Sequence, residues 1–96
     1  MVMHTLNATA GSEAFEDCLR LAKAGDSILL LGDGVYSAVA GGQSSVILAA
    51  SPADVLVLED DAAAAGIQLK ISDFPLVDMD DFVSLSERYP RQLAWY

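Results

Sequence analysis

Residues 27–32 read Ser-Ile-Leu-Leu-Leu-Gly, and the unbroken aliphatic run Ile28 to Leu31 is the strongest constraint in this chain. A strand with one wet face alternates apolar and polar residues, whereas a strand covered on both faces does not. Ser27 to Gly32 therefore predicts an interior strand of a parallel sheet, closed by the turn residues Asp33-Gly34. Parallel neighbours need crossover connections, usually helices, so the flanking sequence has to alternate strands with helices.

It does. Val2 to Asn7 reads as a short first strand and Asn7 to Gly11 as a loop. Ser12 is placed to cap a helix over residues 12–24, with Glu13 and Glu16 at its positive end. Phe15, Cys18, Leu19 and Ala22 repeat at helical spacing along it, and Gly25 ends it. After the buried strand, Val35 to Ala40 predicts a short helical stretch and Gln43 to Ala50 a crossover helix. Asp54 to Leu58 is a clear third strand, and Glu59-Asp60-Asp61 opens an alanine-rich helix that Gly66 stops. Leu69 to Ile71 is expected as a fourth strand and Leu76 to Val77 as a fifth. Asp78 to Tyr89 reads as a helix with Phe82, Leu85 and Tyr89 on one face, and Arg91 to Tyr96 as a last strand. The expectation is one α/β domain over residues 1–96: a three-layer α/β/α sandwich on a mostly parallel sheet of about five strands.

Charge narrows the function. Fourteen acids face five bases, a formal net charge of −9. Five acids oppose two bases in residues 1–48, and nine oppose three in residues 49–96. Arg20, Lys23, Lys70, Arg88 and Arg91 make no basic run, so direct binding to nucleic acid or to an anionic membrane surface is not expected. Apolar residues make up 53%, far too many for a disordered chain and enough for some surface to meet a partner. No apolar stretch approaches a transmembrane span. Met1-Val2-Met3-His4 lacks a basic region followed by an apolar one, which predicts no secretory leader. A reducing cytoplasm suits the single cysteine.

That cysteine, Cys18, is the main chemical candidate. As a nucleophile or sulfur carrier it needs thiolate character. It lies beyond the turn where the helix dipole acts, and Glu16 and Asp17 oppose a thiolate while Arg20 favours one. The other role is packing on the helix's buried stripe, which residue physics alone favours. His4, the only histidine, lacks the companions of a zinc site and reads as a hydrogen-bonded structural residue, with a Cys18–His4 pair as the one nucleophile–base combination available. Glu59, Asp60, Asp61, Asp78, Asp80 and Asp81 do not follow a calcium-loop spacing and suit solvated helix starts. Gly32-Asp33-Gly34 has Ser37 where a dinucleotide fingerprint needs its third glycine. No cofactor or metal is called for. Leu93, Trp95 and Tyr96 are costly to leave in water, so they pack back or meet a partner.

Met3-His4-Thr5-Leu6-Asn7, Gly32-Asp33-Gly34-Val35-Tyr36-Ser37-Ala38, Asp78 to Leu85 with Phe82-Val83, and Gln92-Leu93-Ala94-Trp95 occur in this order and together resemble the TusB/DsrH family. The resemblance covers nearly the whole chain. It implies a DsrE-like α/β/α fold and a sulfur-relay subunit that assembles with TusC-like and TusD-like subunits as a heterohexamer, a dimer of heterotrimers. Such a complex takes persulfide sulfur from a TusA-like carrier and passes it to a TusE-like carrier, toward 2-thiolation of a tRNA wobble uridine. In a DsrH-like setting the complex would meet a DsrC-like carrier in dissimilatory sulfur oxidation. The resemblance implies that the main sulfur-accepting cysteine belongs to the TusD/DsrE-like subunit. It also places Cys18 where the DsrH-like branch carries a cysteine in its first helix. Cys18 as a persulfide carrier, within the complex or as an independent homo-oligomer, therefore stands beside Cys18 as core packing.

Overall fold

A computed structural model describes all 96 residues. Five parallel strands form one sheet: β1 (Val2–Leu6), β2 (Ser27–Leu30), β3 (Asp54–Leu58), β4 (Leu76–Val77) and β5 (Arg91–Trp95), in the spatial order β4-β3-β2-β1-β5. The helices are α1 (Glu13–Leu21), α2 (Gln43–Ala49), α3 (Glu59–Ala64) and α4 (Met79–Ser86), with 3-10 helices over Gly32–Ala38 and Gln68–Lys70. The aliphatic run behaves as expected: all four residues of β2 are buried, Ile28 and Leu30 in one cluster and Leu29 in the other.

The strand order explains the layers. From β1 to β4 the chain steps across the sheet in one direction, and α1, α2 and α3 all pack on one face, around Leu6, Phe15, Ile28, Leu30, Leu48, Val57 and Ala62. The last crossover must run back past β1 to place β5. Right-handed connections put a reversed step on the opposite face. Accordingly Phe82, Leu85 and Tyr89 lie against Met3, Leu29 and Leu58 on the other side. Three helices cover one face and α4 alone covers the second.

Local chemistry sets the boundaries. Ser12 caps α1, its Oγ accepting the Phe15 N–H at 3.2 Å. The helix ends at Leu21 rather than residue 24, because the Asp26 carboxylate takes the Lys23 N–H at 3.0 Å and turns the chain early. Asp78 caps α4 by accepting the Asp81 N–H at 2.7 Å.

Two expected elements differ. Leu69 to Ile71 is not a strand: Gln68–Lys70 is a 3-10 turn, and only Ile71 forms an antiparallel bridge, to Val39. Three residues after Gly66 are too few to cross from α3 to the sheet edge. Their backbone is satisfied by the 38–40 loop instead, Ala40 N–H donating to Lys70 and Ser72 N–H to Ala38, both at 2.8 Å. The helical stretch expected over Val35 to Ala40 begins earlier, at Gly32, and is 3-10. Gly34 sits so close to β1 that a Cβ there would land on the Leu6 carbonyl oxygen, which ties this turn to the end of β1.

Candidate functional site

Cys18 projects from α1 into the core between Phe15 and Ala22 and has 0% exposure. Burial pushes its thiol up to about 12, because a thiolate there would lose its hydration with no cation in return. Arg20, the nearest base in sequence, is held by Asp17 at 2.6 Å on the solvent side of the helix. Neither condition for a reactive thiolate, a neighbouring positive charge or access for a second sulfur, is met in this conformation.

His4 does not pair with Cys18 either. Its Nε2 faces Asp26 Oδ2 at 3.1 Å, and its Nδ1 accepts the indole N–H of Trp95, also at 3.1 Å. Indole is a donor only. Nδ1 therefore carries no proton in this arrangement, and Nε2 is the nitrogen that donates to Asp26. Burial alone would raise the Asp26 carboxyl. The bonds from the Val2 N–H (2.8 Å), the Lys23 N–H and His4 outweigh it and hold the carboxyl below its usual value. Both ring nitrogens are spent on structure, so the imidazole is not free to act as a base. This network was only partly legible in the sequence. The lone His4 reads as hydrogen-bonded, but its partner Asp26 has one signal only, an acid between a turn glycine and a wholly buried strand.

Two of the six clustered acids have structural work, and the other four are exposed. Asp61 Oδ2 accepts the Gly32 N–H at 2.7 Å, and Asp78 is the α4 cap. Asn7 Oδ1 accepts the Asp33 N–H at 3.1 Å, so the ends of β1, β2 and β3 are laced together at the carboxyl edge of the sheet. That edge holds a shallow cleft of about 240 Å³ beside Asp33, Tyr36 and Asp61. A larger groove of about 520 Å³ runs between α1 and α2 past Phe15, Leu19 and Ile47. One lining is acidic and the other largely apolar; neither brings a nucleophile together with a base. Trp95 packs back onto the core through His4 and Leu6, whereas Tyr96 remains 84% exposed.

Solved structures share this architecture. The solution structure of protein Tm0979 from Thermotoga maritima superposes with a TM-score of 0.70 at 27% identity, covering 92% of this chain and 93% of that one. The crystal structure of the ychN protein from E. coli gives a TM-score of 0.77 at 20% identity, covering 97% and 96%. The fold is thus a small parallel α/β sheet of the DsrE-like type.

The relatives in sequence are more specific. The family model described as "DsrH like protein" matches residues 9–92. Protein TusB from Salmonella enteritidis is 42% identical over 95 residues, 98% of this chain and 100% of that protein. Protein TusB from Escherichia coli K12 is 40% identical over the same span. The chain belongs to the DsrH-like family and is TusB-like along nearly its whole length. No helix is long and apolar enough to cross a membrane.

Proposed function

We propose that the protein is the TusB-like subunit of a cytoplasmic sulfurtransferase complex that relays persulfide sulfur toward 2-thiolation of the tRNA wobble uridine. The observation that carries this reading is the 40–42% identity to TusB over 98% of the chain, with no large insertion or missing element. In this reading the partners are TusC-like and TusD-like subunits, and the complex meets TusA-like and TusE-like carriers. Sulfur reaches tRNA through those proteins, in keeping with a chain of net charge −9 that does not itself hold nucleic acid.

The subunit contributes surface and stability rather than the sulfur-bearing thiol. Support comes from Cys18, enclosed in the core with its thiol pushed up to about 12. An independent homo-oligomeric carrier using Cys18 has the same burial against it. A DsrH-like role in sulfur oxidation draws on the family match and on the presence of Cys18 in the first helix.

Coexpression with the two paralogous subunits, followed by native mass spectrometry, tests the reading. The expected result is a hetero-oligomer containing all three chains. A stable lone monomer in the presence of both subunits overturns it.

A further inference from the structure

One side chain holds β5 to the core. The strand lies at the sheet edge with β1 as its only neighbour. Arg91, Gln92, Leu93 and Ala94 are all exposed, and Trp95 alone is drawn toward the cluster around Leu6 and Phe15. Gln92 reaches the Ser86 carbonyl, but that bond is exposed too. The polar tether of Trp95 is its indole N–H, donated to Nδ1 of His4, and His4 is 1% exposed.

The imidazole nitrogen that accepts a hydrogen bond is also the one that takes up a proton. A hydroxyl partner would survive that change by rotating, because a hydroxyl also accepts; indole only donates. Once Nδ1 carries a proton, two N–H groups point at each other across 3.1 Å, and one has to leave. His4 stands in the middle of β1 between β2 and β5, with its Nε2–H bound to Asp26. Trp95 sits half-buried at the end of an edge strand, beside the exposed Tyr96. The indole is the group that yields.

The surroundings match the charge. Asp26, at the head of β2, is the one carboxylate bonded to the ring, and its hydrogen bonds hold it ionised. From α1 come Cys18, neutral with its thiol pushed up to about 12, and Lys23, which gives Asp26 its backbone N–H while its side chain is exposed. Arg20 is paired with Asp17 on the outer side. α2 has no charged residue, and the acids of α3 lie at the carboxyl edge of the sheet. Arg91, the one charged side chain of β5, is exposed and opposite Val2; the Met1 end of β1 is exposed as well. A second proton on the ring is therefore matched by a carboxylate, and no cation is bonded there.

We propose that His4 and Trp95 form a pH-sensitive latch on β5. A proton from solvent on Nδ1 of His4 breaks the indole bond, turns Trp95 outward and loosens the end of the strand. The backbone ladder to β1 and the rest of the sheet stay in place. Closed, the ring is neutral and holds the indole; open, it is an imidazolium held by Asp26 alone. Opening adds the indole to Tyr96 as exposed aromatic surface. The latch is independent of the subunit reading above.

The test follows the full chain from pH 8 to pH 5, the range in which histidine side chains change charge. NMR reads the charge of His4, the only histidine, and the protection of the Trp95 indole N–H from solvent exchange. Acrylamide quenching of Trp95, the only tryptophan, reads its exposure, and far-UV circular dichroism reads the fold. Ring protonation and at least a tenfold loss of indole protection are expected to share one midpoint. Quenching is expected to rise with them while circular dichroism stays constant. His4→Gln, which cannot take the proton, is expected to show no such rise. In Trp95→Phe the ring is expected to bind its proton about tenfold more tightly, the worth of one hydrogen bond. The proposal is overturned if the ring gains its proton with the indole still protected, or stays neutral down to pH 5. It is also overturned if the fold is lost together with ring protonation, or if His4→Gln keeps the rise. Should His4→Gln fail to fold, Trp95→Phe decides: an unchanged proton affinity of His4 overturns the latch.

Discussion

Trp95 donates its indole N–H to Nδ1 of His4 at 3.1 Å, joining residues 91 positions apart, with the two rings at a centroid distance of 6.2 Å. The bond fastens the last strand to the first, and β5 has no other strand neighbour. Trp95→Phe keeps an aromatic ring but leaves Nδ1 of the buried imidazole without a donor. A loss of about 1–2 kcal/mol is expected, measured by urea unfolding followed by circular dichroism. Trp95 is the only tryptophan, so its fluorescence in the unaltered chain reports release of β5 directly.

Asp26 makes the protein acid-sensitive. Its carboxyl is held below the unfolded value by hydrogen bonds that outweigh its burial. The stabilisation it gives is therefore complete above about pH 4, the ordinary Asp value, and is lost as pH falls through the lower folded value. Urea midpoints measured between pH 7 and pH 3 are expected to fall at the acid end. Asp26→Asn should flatten that acid limb. It should also cost about 2 kcal/mol at neutral pH, because an amide cannot present acceptor oxygens to Val2, Lys23 and His4 together.

Gly34 is expected to be the least replaceable glycine. Gly34→Ala puts a methyl group into the Leu6 carbonyl oxygen, a backbone atom of a buried strand that cannot swing aside. A loss of about 3 kcal/mol or more is expected, by the same unfolding assay. Gly11→Ala, where a Cβ meets nothing within 4 Å, carries only the strain of its φ of +85° and should cost about 1–2 kcal/mol.

Cys18 should be silent toward thiol reagents until the protein unfolds. With an Ellman-type reagent, modification is expected to track global unfolding in urea rather than precede it. Cys18→Ala should cost about 1–2 kcal/mol through lost packing. Cys18→Ser should cost more, since a buried hydroxyl gains no partner in an apolar cluster.

The parts of this fold that could be read in advance are those where a local pattern has one physical solution. Between turn signals the run Ile28 to Leu31 fits an interior strand, which the structure forms over Ser27–Leu30; Ser12 is a cap, and the acids at Glu59 to Asp61 are a helix start. Leu69 to Ile71 misled because three residues of alternating character fit a strand or a tight turn equally well. The connection from Gly66 to the sheet edge decided between them. The site was less legible. The partners of His4 lie 22 and 91 positions away, and nothing local in the sequence pairs them. Whether Cys18 faces solvent or core depends on how far α1 rolls onto the sheet, which spacing narrows but does not fix.

In the proposed function this chain supports a sulfur relay without carrying the sulfur. Its most direct measurement follows ³⁵S from a cysteine desulfurase through a TusA-like carrier into the coexpressed three-subunit complex, with label located by peptide mapping. Label is expected on a cysteine of a partner subunit and not on Cys18, with unchanged transfer when Cys18 is replaced by alanine. Label on Cys18, or loss of transfer in a folded Cys18→Ala complex, would contradict it.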